Sequence, residues 1–504
     1  MITADIFAKY TDPETFSKIT DFSCISQMWR QSVENYADEI AIVDGENITY
    51  RQLDAAVAAF RGLLQEKGVK PGDTVGMYMP NSVDFVKCYL ALTTMGACAV
   101  LLPPQLDNAT VFGCSMLFRM KALVYGAALE EKLDIVKAKN PALPLVDGSA
   151  SSEAAAPAVD CPPTSVCTVL FTGGTTGKSK GALLSQQAVL EGVKNGCYGY
   201  GQVFGQRYLL VLPLTHVFGL IRNMLTSLRT GSTLFICRNN KDMFRDIVVF
   251  KPTIMVLVPA LAEMALNLSK QFGRNMLGAD MKTIICGAAM VAPYLVTEYE
   301  KFGIKLLPGY GLTESANLVS GNPEALRKPS SVGLIYPGID YKIVDGELWL
   351  KGKTMMTGYA GGAENETAYS ADGYFKTGDL VHIDEEGYLY IDGRSKEIIV
   401  LSTGENISPA ELESHFYAID AVQDCLVYAM NEDGREVLAV EVLPRTVTVK
   451  ALGITDVEGY MKERLAEVNA KLPPYQRIQK VIIRDTDFKR TPSMKIARNQ
   501  NGQN

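Results

Sequence analysis

The sequence predicts an α/β protein: a large N-terminal domain of layered α/β subdomains plus a small β-barrel, followed by a small α+β C-terminal domain. Strand and helix patterns alternate between residues 40 and 110, which is typical of helices packed on a largely parallel sheet. From about residue 340 the apolar period falls to two, with glycine turns between short segments, which favours a small barrel or sheet. Beyond residue 396 helix and strand patterns mix.

The first subdomain is predicted from its alternation. Strands at 40–43 and 48–50 precede apolar residues at helical spacing, namely Leu53, Val57, Phe60 and Leu64, which indicate one buried helix face. A turn at 70–73 leads to a strand at 75–79, a helix at 83–95 closed by Gly96, and a strand at 98–102. A Ser/Ala/Pro-rich segment at 147–163 marks a surface connection to a second α/β subdomain.

The later elements set the domain boundaries. Short strands are predicted at 341–344, 347–350, 374–375, 380–383 and 388–391, and then a helix from Pro409, strands at 422–430 and 437–443, a helix from Val457 and a strand at 480–483. The α/β subdomains therefore span about 1–160 and 161–335, and the barrel spans about 336–392. The N-terminal domain as a whole covers 1–393 and the C-terminal domain 394–504.

Composition restricts the function. The net charge of −7 over 504 residues and a pI near 5.3 argue against a dedicated nucleic-acid binder, which usually carries a basic face. The ten cysteines are scattered without a C-x-x-C pair, and several lie in apolar runs, so buried reduced thiols are expected. The three histidines lack metal-ligand spacing, so we expect no protein zinc site.

Targeting signals are not apparent in the sequence. The N-terminal residues lack a basic start followed by an apolar core, so no signal peptide is predicted. The longest apolar stretch, 88–103, contains threonines and a glycine and ends at the first of two consecutive prolines, so it is too short and too interrupted for a membrane span. We expect a soluble, cytoplasmic protein, and the sequence does not indicate its oligomeric state.

A glycine-rich loop is the most informative local feature. Residues 170–181 read Leu-Phe-Thr-Gly-Gly-Thr-Thr-Gly-Lys-Ser-Lys-Gly and follow a strand-like run at 166–171. Backbone N–H groups of such a loop can form an anion-binding concavity to which lysines add charge; a solvated turn is the alternative. The Walker A pattern of P-loop NTPases would require glycine at position 172, where this chain has Thr172, so a P-loop NTPase is possible but disfavoured.

Further short motifs follow in register along the chain. They are Thr49-Tyr50, Leu-Pro-Leu-Thr-His-Val-Phe-Gly at 212–219, Cys-Gly-Ala-Ala at 286–289, Gly-Tyr-Gly-Leu-Thr-Glu-Ser at 309–315, Gly-Glu-Leu-Trp-Leu-Lys-Gly at 346–352, Tyr-Phe-Lys-Thr-Gly-Asp-Leu at 374–380, Gly-Arg-Ser-Lys-Glu-Ile-Ile at 393–399 and Arg-Thr-Pro-Ser-Met-Lys-Ile at 490–496. In this order and spacing the chain resembles the adenylate-forming superfamily of acyl-CoA synthetases, peptide-synthetase adenylation domains and luciferases, over roughly residues 40–498.

The resemblance implies a two-step reaction that uses ATP, Mg²⁺ and a thiol, with CoA as the favoured second substrate. A carboxylate attacks the α-phosphorus of ATP to give acyl-AMP and pyrophosphate, and the thiol then displaces AMP to give a thioester. The first step gathers negative charge beside an anionic nucleophile, so cations and donors must offset the repulsion. The resemblance also implies a mobile C-terminal domain that swings about a hinge at Lys396 between the steps.

Roles for individual residues follow from the resemblance. The phosphates would be held by the glycine loop, through Thr172, Gly173, Gly174, Thr175, Thr176, Gly177, Lys178 and Lys180. Glu314 would coordinate Mg²⁺, and Thr313 would donate to the α-phosphate. The adenosine would be bound by Tyr310 stacking on adenine, Gly287, Ala288 and Gly311 allowing close approach, and Asp379 and Arg394 contacting the ribose or phosphate.

Three further residues would serve the acid and the thiol. Lys495 would bridge the attacking carboxylate and the α-phosphate. His216 would orient the acid and close the pantetheine tunnel, without acting as a general base. Gly404 would allow the pantetheine arm to approach in the second step.

Departures from the family pattern bear on activity and substrate. Gly173 and Ser179 replace the usual serine and proline, and Met494 replaces the glycine before Lys495. Val217 stands where α-amino-acid adenylation domains carry an aspartate, and a buried ammonium without a counter-charge is costly, so an apolar acyl or aryl carboxylate is favoured. The run at 399–407 looks most like fatty acyl-CoA ligases.

The acceptor and the class of protein stay open at this point. No phosphopantetheine attachment motif follows residue 498, so the acceptor is free CoA, which we favour, or a separate acyl carrier protein. The alternatives of a different class are the P-loop kinase or NTPase and a non-catalytic nucleotide-binding protein. Neither alternative requires the combination of Glu314, Asp379, Arg394 and Lys495.

Overall fold

The computed structural model describes residues 4–172, 180–199, 201–362, 365–401, 406–432, 435–490, 496–498 and 501. The first part alternates helices and strands, as predicted. Its elements are α1 (Ala4–Ala8), α2 (Pro13–Ser17), α3 (Ile25–Tyr36), β1 (Ile40–Val43), β2 (Asn47–Thr49), α4 (Tyr50–Glu66), β3 (Thr74–Tyr78), α5 (Val83–Thr94), β4 (Cys98–Leu102), α6 (Asn108–Leu117), β5 (Ala122–Tyr125), α7 (Asp134–Lys139) and β6 (Leu145–Asp147).

Helix α4 shows how the local sequence sets an element. Its predicted apolar face is buried on the core. The prediction that Tyr50 ends a strand is wrong, because Thr49 caps the helix: its side chain accepts from the Gln52 N–H, and the Gln52 side chain accepts from the Thr49 N–H. This capping box satisfies two of the donors that a helix start leaves unpaired, so the helix begins at Tyr50.

The second part continues the α/β pattern up to an antiparallel hairpin. Its elements are β7 (Val166–Thr172), β8 (Lys180–Ser185), α8 (Gln186–Asn195), β9 (Arg207–Leu210), a π-helix (Phe218–Leu225), α9 (Thr226–Arg229), β10 (Thr233–Ile236), α10 (Met243–Phe250), β11 (Ile254–Leu257), α11 (Pro259–Phe272), β12 (Thr283–Cys286), α12 (Pro293–Glu300), β13 (Lys305–Leu312), β14 (Asn317–Gly321) and β15 (Gly333–Ile335).

The remaining elements build the antiparallel strands and the C-terminal domain. They are β16 (Ile339–Val344), β17 (Glu347–Gly352), β18 (Gly358–Tyr359), α13 (Asn365–Ala368), β19 (Phe375–Ile383), β20 (Tyr388–Arg394), β21 (Ile399–Val400), β22 (Asn406–Ile407), α14 (Pro409–Tyr417), β23 (Val422–Glu432), β24 (Arg435–Pro444), α15 (Thr446–Ala451), α16 (Val457–Asn469) and β25 (Lys480–Ile483). The two short strands predicted at 374–375 and 380–383 are one strand, β19, with a bulge between Leu380 and Val381.

Two sheets organise the large domain within the described residues. One has the order β18-β8-β7-β4-β3-β5-β6, and its strands β7, β4, β3, β5 and β6 are parallel. The other runs β16-β17-β19-β20-β15-β14-β13-β12-β11-β9-β10-β1-β2. It is parallel from β13 to β1 and antiparallel from β13 to β16. The strands predicted as a small barrel are therefore antiparallel neighbours that extend this parallel sheet.

The hydrophobic core consists of separate clusters of buried side chains. A large cluster of buried side chains extends from Phe7 to Leu389 in sequence, and a separate cluster, from Ile407 to Val481, fills the C-terminal domain. All ten cysteines are unpaired thiols, of which Cys114 and Cys161 are partly exposed and the others are buried. Over the part of the chain that the structure describes, no helix has the length and apolar character needed to cross a membrane.

Candidate active site

A cleft of about 2230 Å³ lies where the large domain faces the C-terminal domain. Its floor is built at the carboxyl ends of the parallel strands: His216 follows β9, Val258 follows β11, Ala288 follows β12 and Thr313 follows β13. Ligands of open parallel sheets bind at this edge, because the loops that leave the strands converge there. Helix α14 and strand β23 of the C-terminal domain form the opposite wall.

The glycine loop connects two antiparallel strands. Thr172 and Lys180 are cross-strand partners at its two ends, and both line the cleft. A P-loop connects a strand to a helix, whereas this loop continues directly into strand β8, so the topology excludes the P-loop NTPase alternative. Residues 173–179, which include Gly173, Gly174, Thr175, Thr176, Gly177 and Lys178, lie outside the described residues, and their predicted roles stay predictions.

Thr313 and Glu314 lie at the turn of the β13–β14 hairpin. The Ser315 hydroxyl accepts from the Leu312 N–H at 3.0 Å and fixes this turn. The Tyr359 hydroxyl donates to Glu314 Oε1 at 2.6 Å, and the Lys180 Nζ lies 5.0 Å from the centre of the Tyr359 ring. Glu314 and Lys180, distant in sequence, therefore flank one tyrosine in the cleft.

A buried network joins three of the predicted adenosine-binding residues. Asp379 on β19 is 2% exposed; its Oδ1 accepts from Arg394 Nε at 2.7 Å and its Oδ2 from the Tyr310 hydroxyl at 2.5 Å. The Asp379 carboxylate raises the pKa of Arg394, and burial, followed by the Asp379 charge, raises the pKa of Tyr310 well above its usual value. Arg394 therefore stays charged and Tyr310 stays protonated.

The local backbone explains the position of Asp379. Gly378 has φ +72°, which glycine adopts without strain, and its N–H donates to Glu347 Oε1 at 2.8 Å. The Thr377 hydroxyl accepts from the Asp379 N–H and donates to the Leu348 carbonyl. The Thr-Gly-Asp motif is thereby held against strand β17, with its carboxylate toward the cleft.

The small residues near the site have structural reasons of their own. A Cβ at Gly287 would lie 2.7 Å from the Gly309 carbonyl oxygen, and one at Gly311 would lie 2.2 Å from the Asn317 carbonyl oxygen. Both glycines therefore allow neighbouring strands to approach each other, and their predicted role beside a ligand stays a prediction. Ala288 lines the cleft with φ +66°, a strained value for a residue with a Cβ that is often found at functional sites.

His216 lies at the edge of the cleft beside an apolar wall. Its Nδ1 accepts from the Phe218 N–H at 3.3 Å, which in the neutral ring places the proton on Nε2 and makes that nitrogen a donor. Val217 and Phe218 also line the cleft and are almost completely buried. A donor next to an apolar wall suits a carboxylate that carries an apolar substituent.

The remaining predicted residues belong to the C-terminal domain or to its connection. Lys396 lies in a 3₁₀ turn (Ser395–Glu397) between β20 and β21. Gly404 and Lys495 lie outside the described residues. Arg490 and Ile496, which flank the Lys495 segment, form a β-bridge with each other and line the cleft.

The donor set of the cleft bears on the predicted magnesium ion. Within the described ranges no group of three or more His, Cys, Asp and Glu side chains could hold a metal ion. Mg²⁺ usually keeps several waters and binds through one or two carboxylates plus substrate phosphates. The single Glu314 carboxylate, close to the ends of the glycine loop, fits such a site.

Tyr359 is the residue of this site that sequence reasoning missed. It reaches Glu314 because strand β18 pairs with β8, next to Lys180. No local pattern marks this tyrosine, since it acts through a pairing between strands about 175 residues apart in the chain.

Comparison with known proteins decides the family. Residues 29–360 match the family described as "AMP-binding enzyme", and residues 396–504 match "AMP-binding enzyme C-terminal domain". The chain belongs to the AMP-binding enzyme family. This confirms the predicted superfamily and the α/β fold with a large N-terminal domain and a smaller C-terminal domain. It also makes the protein an AMP-forming acid–thiol ligase, of the family of acyl- and aryl-CoA ligases that use ATP and CoA.

Relatives of this AMP-binding enzyme cover nearly its whole length. It is 28% identical to peroxisomal OPC-8:0-CoA ligase 1 of Arabidopsis thaliana, over 93% of this chain and 91% of the relative. It is 27% identical to the long-chain-fatty-acid–CoA ligase FadD13 of Mycobacterium tuberculosis, over 89% and 91%. The crystal structure of the anthranilate CoA ligase AuaEII in complex with anthranoyl-AMP superimposes with a TM-score of 0.84 at 19% identity, covering 94% and 96% of the two chains; this likeness shows the fold alone.

Proposed function

We propose that this AMP-binding enzyme is an acyl-CoA synthetase that activates an apolar carboxylic acid, in the first place a fatty acid. In the first step a carboxylate oxygen attacks the α-phosphorus of ATP and pyrophosphate leaves. In the second step the CoA sulfur attacks the acyl carbon, the thiol proton is lost, and AMP leaves. The observation that carries the proposal is the single cleft that joins Glu314, the Tyr310–Asp379–Arg394 network and His216 beside an apolar wall.

The proposed nucleotide contacts follow from the chemistry of these groups. Each Asp379 oxygen has two acceptor sites, so the ribose hydroxyls can donate to Asp379 while Arg394 and Tyr310 keep their bonds to it. Because that network holds the carboxylate rigid, the ribose meets acceptors that are already oriented. Thr172 and Lys180 at the ends of the glycine loop face the phosphates, and Thr313 lies next to the α-phosphate.

A magnesium ion would be held by Glu314 together with the phosphates. Bound there, it would offset phosphate charge as a hard cation. The Tyr359 hydroxyl restricts the Glu314 carboxylate by its hydrogen bond. Tyr359 would therefore not touch the ion itself but would orient the carboxylate that binds it.

The cleft-lining residues beside His216 are the basis for proposing an apolar acid as the substrate. The Nε2 donor of His216 orients the carboxylate, which is ionised and needs no base. Val217 offers no charge for an ammonium group, and the neighbouring lining residues are largely apolar, including Phe218, Val258 and Met290. Two relatives are named for OPC-8:0 and for long-chain fatty acids, which agrees with an apolar acid.

The second step is assigned to the C-terminal domain. We propose that residues 394–504 form this domain, that it swings about Lys396, and that Gly404 then admits the pantetheine arm. Reuse of one cleft keeps the acyl-adenylate away from water. An acyl carrier protein is the alternative acceptor, and the cytoplasmic location stays a prediction, since one relative is named as a peroxisomal enzyme.

The test is an incubation with ATP, Mg²⁺ and a panel of carboxylic acids, from short to long and aromatic, with and without CoA. We expect acid-dependent release of pyrophosphate, and an acyl-CoA thioester only when CoA is present. Pyrophosphate release without a thioester would favour a carrier-protein acceptor. If ATP binds and no acid releases pyrophosphate, the proposal is wrong.

Replacement of Tyr359 by phenylalanine tests the role of the Glu314 hydrogen bond. We expect the Mg²⁺ concentration for half-maximal pyrophosphate release to rise about tenfold, because loss of a partner that orients a metal ligand typically weakens metal binding by 10–100-fold. Titration with MgCl₂ at saturating ATP measures this. Tyr341→Phe, on exposed strand β16, is the matched control, and an unchanged Mg²⁺ dependence of the Tyr359 variant would contradict the assignment.

A further inference from the structure

One buried charge cluster joins the two domains and has no part in the proposed chemistry. Glu263 on α11 and Tyr294 on α12 belong to the large domain, and Arg445, directly after β24, belongs to the C-terminal domain. The Arg445 guanidinium donates to Glu263 Oε1 and, at 2.9 Å, to the Tyr294 hydroxyl, which in turn donates to Glu263 Oε2. Glu263, Tyr294 and Arg445 are called the interdomain latch below.

The latch is shielded from water. The side chains of Arg445 and Glu263 are only 4% and 13% exposed. Burial raises the pKa of Glu263, and the Arg445 charge opposes that rise. Salt and water screen such a pair much less than the exposed pairs of this protein, and removal of one partner would leave an uncompensated buried charge.

Arg445 is held firmly within its own domain. Its guanidinium donates to the Asp420 carbonyl at 2.6 Å, and its N–H donates to the Ala421 carbonyl at 2.7 Å. Both acceptors lie in the turn between α14 and β23. Because Arg445 is fixed to this turn, the latch connects the large domain to the β23–β24 sheet as a whole and not only to a flexible side chain.

The same sheet carries the neighbours of Lys495. Asp424 on β23 forms an ion pair with Arg490, and Arg490 bridges to Ile496 on the other side of the Lys495 segment. Glu263 and Tyr294 line the same cleft as Arg490 and Ile496. The position of Arg445 against α11 and α12 therefore determines where Arg490 and Ile496, at the two ends of the Lys495 segment, lie in the cleft.

We propose that the latch of Glu263, Tyr294 and Arg445 positions the C-terminal domain for the first step, acyl-adenylate formation. This inference rests on the proposed function, because it assigns Lys495 to that step. The three are positioning residues, since they act through the placement of the domain. The thioester step, which needs the domain to turn, does not need the latch.

The latch is tested with Glu263→Gln and Arg445→Met. We expect each single variant to lower kcat for acid-dependent pyrophosphate release about tenfold, since misplaced reacting groups cost rate more than affinity. We expect KM for ATP to change less than twofold, and thioester formation from supplied acyl-adenylate and CoA to keep the wild-type rate.

Small-angle X-ray scattering of the free enzymes gives a readout that does not depend on activity. We expect a larger radius of gyration for the single variants than for the wild type and for the control Asp280→Asn, which breaks the exposed Arg207–Asp280 pair within the large domain. Single variants that fold, by circular dichroism, and keep both the wild-type scattering and the wild-type pyrophosphate rate would overturn the inference. If the wild type itself releases no pyrophosphate with any acid, the proposed function fails, and the scattering alone decides whether the latch holds the domains.

Discussion

Replacing Lys495 by alanine is expected to lower acid-dependent pyrophosphate release by 10²–10³-fold, the typical loss when one group that stabilises transition-state charge is removed. The first step brings an anionic carboxylate to an anionic phosphate, and the proposal gives Lys495 the task of offsetting that repulsion. Thioester formation from supplied acyl-adenylate and CoA should stay within twofold of the wild type, because the α-phosphate is then already acylated.

The control for this substitution lies in the same segment. Lys489 is exposed, and its backbone is bonded to the Asn501 side chain and to the Ala497 N–H. Lys489→Ala removes the same charge from the same part of the chain and should leave both half-reactions unchanged. Equal losses in both half-reactions for Lys495→Ala would refute its assignment to the first step and indicate a defect of the domain as a whole.

Asp379→Asn is expected to raise KM for ATP by about 10²-fold. A hydrogen bond to a charged group is worth roughly 1.5–3 kcal/mol, so loss of charge-assisted contacts to the ribose amounts to on the order of 3 kcal/mol. Asparagine also turns one oxygen into an NH₂ group, which can no longer accept from Arg394 Nε or from the Tyr310 hydroxyl. Steady-state kinetics over a wide range of ATP concentrations measure the effect.

Asp392 supplies a matched control on the neighbouring strand. Its carboxylate accepts from His382 Nδ1 at 2.8 Å and is 44% exposed, against 3% for Asp379. Asp392→Asn should leave KM for ATP within twofold of the wild type. A similar rise in KM for both variants would mean that the β19–β20 hairpin, and not the Asp379 carboxylate, was disturbed.

The elements that the sequence predicts best are those whose signals are local. The last strand, Lys480–Ile483, has the predicted bounds, and Pro409 and Val457 begin helices as expected. The sequence pattern assigns Tyr50 to a strand because its ring fits the apolar alternation, whereas the hydrogen bonds between Thr49 and Gln52 begin a helix there. The sequence divides the continuous strand β19 because the polar residues 376–379, which include Gly378 at φ +72°, interrupt the apolar pattern.

The residues of the candidate site also differ in whether a local sequence signal predicts them. Glu314, Asp379 and Arg394 stand in short motifs, so the sequence predicts them and the structure places them in one cleft. Tyr359 and the latch residues carry no motif, because each reaches its partner through the packing of distant elements. Such residues follow only from the three-dimensional arrangement, since side-chain spacing along the chain says nothing about pairing between strands or domains.

Burial of the cysteines matters in this enzyme because acyl-AMP is a mixed anhydride that reacts with thiolates. Any thiolate within reach of that compound would capture the acyl group, and the thiolate is the nucleophilic form of cysteine. Cys286 directly precedes Gly287 at the end of β12, but it is fully buried, and burial raises the pKa of its thiol far above its usual value. The Cys286 thiol therefore stays protonated and inaccessible, so it does not compete with CoA for the acyl group.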